Sequence, residues 1–113
     1  SSTGNLLVQH EEDIEKVLEV NGDAIKYIAN PSFHLRKIAI TQNPMSIKYI
    51  KDLTVEEIKQ SIQTEPLAIK HVKTANKEAA LLAVSLFTNA IYSIEQPSEE
   101  VKLLAVIKSN NHG

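Results

Sequence analysis

The sequence predicts an all-α protein, an α-solenoid-like stack of short helix-turn-helix repeats with a 22-residue period. Three observations predict it. The phrase Ala24-Ile25-Lys26-Tyr27-Ile28 returns as Ser46-Ile47-Lys48-Tyr49-Ile50, as Ala68-Ile69-Lys70-His71-Val72 and, more loosely, as Ala90-Ile91-Tyr92-Ser93-Ile94, each 22 residues after the last. Self-similarity at a fixed period of this size marks a repeat architecture. Ahead of each phrase, apolar residues recur at i, i+3 and i+4, the spacing of one helical face and not the alternation of a strand. Between these stretches fall Pro, Gly or Asn corners at matching places.

The elements follow in order. Ser1-Ser2-Thr3-Gly4 has neither the basic nor the apolar region of a signal peptide. Residues 1–5 read as a disordered lead-in or an expression remnant, and 6–113 as one helical repeat domain. The repeats run about 8–29, 30–51, 52–73 and 74–95, with a partial copy over 96–113. Over residues 8–21, Ile14, Val17 and Leu18 share a helical face, and Glu11-Glu12-Asp13 is expected in the first turn, where acidic charge complements the helix dipole. Asn21-Gly22-Asp23 breaks that helix, and the 24–28 segment is a short second helix whose geometry, α or 3₁₀, is left open. Ser32 caps the next helix, carrying Leu35, Ile38, Ala39 and Ile40. Asn43-Pro44 ends it and starts another short helix, with Pro at its tolerated first position. Thr54 and Glu57 have the capping-box spacing, Ile58 and Ile62 form the apolar pair, and Glu65-Pro66 is the break.

The fourth copy opens at Asn76 and runs through Ala79, Leu82, Ala83, Val84, Leu86 and Phe87. It is hydrophobic nearly all round, so burial on several sides is expected. The fifth begins Pro97-Ser98-Glu99-Glu100 and carries Val101, Leu104, Ala105 and Val106. Isolated helices this short are marginal in water, so stability must come from stacking neighbours. The aligned columns agree: Leu18, Ile40, Ile62, Val84 and Val106 stand beside Val17, Ala39, Ser61, Ala83 and Ala105. A small residue next to a branched one lets adjacent helices approach closely.

The phrases Asn43-Pro44-Met45-Ser46-Ile47-Lys48-Tyr49-Ile50 and Pro97-Ser98-Glu99-Glu100-Val101-Lys102-Leu103-Leu104-Ala105-Val106 resemble the repeats of the DUF4116 family of bacteria, phages and large viruses. That family repeats N-P-x-A-[IL]-x-Y-[IA] followed by S-x-E-[VL]-x-L-A-A-V. The likeness covers the chain from about Leu6 onward and implies an α-helical repeat of unknown function. The chain departs from the pattern at Thr88-Asn89 and Ser93, and at Glu57 and Gln60, where apolar residues are expected.

Composition narrows the function classes. Hydrophobic residues make up 42% and charged residues 23% of 113, an ordinary globular balance. A formal net charge of −2 gives no global attraction to nucleic acid or anionic membranes. No run of about 18 apolar residues exists, so no membrane span is expected. The lack of cysteine fits a reducing compartment, and a cytoplasmic location is expected. With glycine only at 4, 22 and 113, there is no phosphate-cradling loop and no nucleophile elbow. Histidines 10, 34, 71 and 112 are scattered without HExxH spacing or cysteine partners. The carboxylate clusters recur at helix starts and read as dipole-complementing charge. No enzyme, metal or cofactor is expected.

The one feature that could mark a binding face is a ladder on the short helices. Lys26, Lys48 and Lys70 fill one column, Tyr27, Tyr49 and His71 the next, and Lys51 and Lys73 another. Stacked repeats would bring equal columns to about 10 Å, giving a basic edge with aromatic interleaving, opposite an acidic edge at the long helices' N-termini. A solvated edge explains the same pattern, because lysine near a helix C-terminus suits the dipole and tyrosine can bury its ring with its hydroxyl in water. The expectation is a protein-interaction module with an acidic partner. A nucleic-acid-binding module is the alternative, disfavoured by the net charge. The apolar strip on the last helix further suggests a homodimer.

Overall fold

The structure, a computed structural model, describes residues 2–72 and 76–110. Five α-helices, α1 (Ser2–Val20), α2 (Phe33–Gln42), α3 (Val55–Thr64), α4 (Lys77–Leu86) and α5 (Glu99–Asn110), alternate with four 3₁₀ helices. These are η1 (Gly22–Tyr27), η2 (Pro44–Tyr49), η3 (Pro66–His71) and η4 (Thr88–Ser93). Among the described residues there is no strand. The α-helices form one layer and the 3₁₀ helices the other, and every packing contact joins an element to its own repeat or to an adjacent one. The molecule measures 64 × 24 × 17 Å, with a radius of gyration of 17.1 Å. A compact chain of this length would have a radius near 13 Å. The stack is extended, as a solenoid must be.

Each long helix hands over to its short partner through a single residue. The Asn43 N–H donates to the Ala39 carbonyl, ending α2, while its side-chain oxygen accepts from the Met45 N–H at 3.1 Å, starting η2. Asn21 and Glu65 make the same double use, accepting from Asp23 and Leu67, whereas Phe87 has no side chain that could. The turns that follow close i→i+3, from Ala24 to Asn21, Ser46 to Asn43 and Ala68 to Glu65, so the short helices are 3₁₀.

The return corners also keep the period. Asn30, Asp52 and Gln96 adopt positive φ of 50–55° at equivalent places, and the fourth equivalent, residue 74, lies outside the described residues. Two residues on, Ser32, Thr54, Asn76 and Ser98 each accept a backbone N–H from the third residue ahead. Thr54 and Glu57 complete the expected capping box. A cap of this kind stabilises by about 1 kcal/mol. At the first handover, Gly22 lies so close to the Ala39 carbonyl that a Cβ there would collide with it.

The paired columns divide their work between the two sides of each repeat. Ala39, Ser61, Ala83 and Ala105 are buried against the preceding helix, but Val17, in the first of the described helices, is 54% exposed. Leu18, Ile40, Ile62 and Val84 are buried against the following helix, but Val106 is 56% exposed. One periodic pattern thus acquires two different ends.

Three expectations are corrected. Helix α1 starts at Ser2, ahead of residue 8 and through the segment read as a lead-in, since no proline precedes Pro31. Glu11-Glu12-Asp13 therefore lies inside α1 and not in its first turn. Helix α4 is buried on several sides, as expected: neighbours cover its two stacking sides and its η face, and Leu86 and the cap residue Phe87 are exposed at its end. Glu57 is buried, so it does not belong to an acidic edge.

Candidate partner-binding face

Alternation within the 3₁₀ helices decides what faces outward. Ser46 and Ile47, Ala68 and Ile69, and Ile25 turn inward and are buried. The next residue of each copy, Lys26, Lys48 or Lys70, is exposed. With three residues per turn, the inner and outer positions repeat identically in each copy, and the lysines form a row along the stack.

The ring column changes along the row. Tyr27 is 80% exposed, Tyr49 is 36% exposed, and His71 is partly buried. The Lys26 ammonium lies 5.1 Å from the centre of the Tyr27 ring and 5.5 Å from that of Tyr49, so it bridges two repeats. The Lys48 ammonium lies 5.1 Å from the Tyr49 ring. Contacts of this length are cation–π attractions, worth about 0.5–1 kcal/mol at exposed sites. At the third step the ring is an imidazole. Burial, followed by the Lys70 and Lys48 charges, holds His71 below the ordinary histidine pKa, so the lysines work against its protonation.

The remaining ladder positions differ. The Lys51 side chain is exposed, and its carbonyl accepts from Arg36 Nη2 at 3.1 Å. Lys73 lies outside the described residues. The lysine column continues as exposed Tyr92, and the ring column as Ser93, so the basic character ends with the third repeat. Lys70 also borders a cleft of about 450 Å³ shared with Lys77 and Ser93.

Reading by columns alone missed one partnership. Arg36 Nη1 donates to Glu57 Oε1 at 3.1 Å, with side-chain exposures of 13% and 9%. The same carboxylate oxygen accepts the Thr54 N–H at 3.0 Å, and the guanidinium stacks 5.0 Å from the Phe33 ring. Glu57 stands out in sequence as a charge between Leu35 and Ala79 in a column that holds one other acid, Asp13, in the first repeat. Its partner is equally visible as Arg36 between Ile14 and Ile58, in a column whose other charge is Lys102.

Among the described residues, no His, Asp and Glu cluster could hold a metal ion, and no helix is long and apolar enough to cross a membrane. No family model, curated protein or solved structure matches the chain.

Proposed function

We propose that the chain is a non-enzymatic helical repeat module of the cytoplasm, akin to the DUF4116 repeats, that binds an acidic protein partner. Its binding face carries Lys26, Tyr27, Lys48, Tyr49, Lys51, Lys70 and His71. The observation that carries this reading is the position of Lys26 over two tyrosine rings in successive repeats. Rings that hold an ammonium in place reduce the rotamer freedom lost when an anion binds. Tyrosine adds rigid contact area beside the charge. In the test, Lys48→Glu, at the middle of the row, weakens capture of the partner, while Lys102→Glu on α5 leaves it intact. Equal capture by both variants would reduce the row to a solvated edge.

The alternation of lysine with tyrosine also suits stacked bases, which supports nucleic-acid binding as the second reading. The net charge of −2 weighs against it. Binding that falls steeply with salt would favour it. A homodimer through α5 is proposed separately, because Leu103, Val106 and Ile107 leave apolar surface exposed there. Val106→Glu should abolish that dimer in sedimentation, and a wild-type monomer at high concentration removes it.

A further inference from the structure

We propose that the lysine row reads an extended acidic peptide whose carboxylates recur at every third residue. This deepens the acidic-partner reading and rests on it. The spacing of the row is bounded from above. Since the Lys26 and Lys48 ammoniums lie 5.5 and 5.1 Å from the same Tyr49 ring centre, the two are at most about 11 Å apart, the sum of the two distances. Stacked helices in general sit about 8–10 Å apart. A ligand matched to this face must present an anion at each such step.

An extended peptide can do so in only one simple way. The polyproline II helix advances about 3.1 Å per residue with three residues per turn, so side chains at i, i+3 and i+6 share one face and recur about every 9.3 Å. An α-helical ligand rises about 5.4 Å per turn, so it could match the row only at every second turn, with carboxylates at i, i+7 and i+14, and would need about twice the length of the extended segment. A nucleic-acid strand carries about one charge per 3.4 Å in duplex form, roughly three for each lysine of the row. Most of those charges would lie unpaired on a chain that is already net negative. The hydroxyl-bearing rings of Tyr27 and Tyr49 fit the same ligand, because polyproline II segments dock on aromatic surfaces between their charged positions.

The ladder also sets the ligand's length. Lys26, Lys48 and Lys70 supply three steps, and Tyr92 takes the lysine position in the fourth repeat. Three carboxylates, spanning seven residues, fill the row.

The test uses fluorescence anisotropy with three labelled probes: a peptide of Glu-Pro-Ser repeated three times, a peptide of the same composition with its three glutamates contiguous, and a nine-nucleotide oligothymidylate. The spaced peptide should bind about fivefold more tightly than the contiguous one, because exposed ion pairs contribute modestly and mis-spacing loses about two of them. Lys48→Ala, with an unchanged circular dichroism spectrum, should bring the two peptides level. Equal binding of the two peptides to wild type overturns the spacing rule while the acidic-partner reading survives. Tighter binding of the oligonucleotide overturns both.

Discussion

Arg36 on α2 and Glu57 on α3 form a buried ion pair at 3.1 Å in a seam that the other repeats fill with aliphatic side chains. The equivalent positions are Ile14 and Leu35, Ile58 and Ala79, and Ala80 and Val101, each pair belonging to one apolar cluster. The salt bridge is incompletely satisfied: Arg36 Nε and Glu57 Oε2 are buried with no hydrogen-bond partner among the described residues. Desolvation of both charges offsets much of their attraction. The pair therefore adds little net stability, although removing one partner alone is costly.

That relationship sets the first prediction. Arg36→Leu alone strands a buried carboxylate and should cost about 3–5 kcal/mol. Arg36→Ile with Glu57→Leu restores an apolar seam and should recover most of the loss, less about 1 kcal/mol for the broken capping box. Urea denaturation of the double-mutant cycle checks this. Additive losses would mean that the two side chains act independently.

The end columns give a second. Ala83 is fully buried between helices, so Ala83→Leu should overpack the contact and cost about 1–3 kcal/mol. Val17 occupies the same column but is 54% exposed, so Val17→Ala should change stability by less than about 0.5 kcal/mol. Thermal melts of the two variants compare one column position in two environments. Melting of Ala83→Leu at the wild-type temperature would disprove the register.

The corners give a third. Gln96 holds φ at 52°, where a Cβ costs about 1–2 kcal/mol and glycine almost nothing. Gln96→Gly gives back part of this through greater freedom of the unfolded chain, leaving a net gain of about 0.5–1 kcal/mol. Asn30→Gly should gain less, because asparagine tolerates this region. A lower melting temperature for Gln96→Gly would show that the corner carries no strain.

His71 gives a pH dependence with a definite sign. Burial and the Lys70 and Lys48 charges hold its folded pKa below the ordinary value of 6.5. As pH falls through 6.5, the unfolded chain takes up the proton first. The contribution of His71 to stability is thus complete above that value and declines below it. Lys48→Met should raise the His71 pKa toward the ordinary value, and His71→Gln should flatten the acid limb of the stability curve. An NMR titration of the His71 ring in the wild type and in Lys48→Met reads the shift directly. An unmoved ring signal in Lys48→Met would place that lysine too far away to act.

By itself, the sequence determined the period, the caps and the class of the fold, because these are local. A 22-residue repeat of Ser32-, Thr54-, Asn76- and Ser98-type caps with Asn and Pro corners satisfies backbone donors within a few residues. It also determined which columns are apolar, and it set the lysines and tyrosines side by side. Tertiary structure alone decided what each column meets. Val17 and Val106 read as core in the pattern, yet they are exposed because burial depends on having a neighbour on that side. Glu57 reads as a surface acid at a helix start, yet it is buried because Arg36 reaches it from the preceding repeat. Lys26 reads as one point in a column, yet it rests on two rings because stacking brings the next tyrosine within reach. Each of these depends on the distance between residues about 20 apart in sequence, which packing sets and local spacing does not.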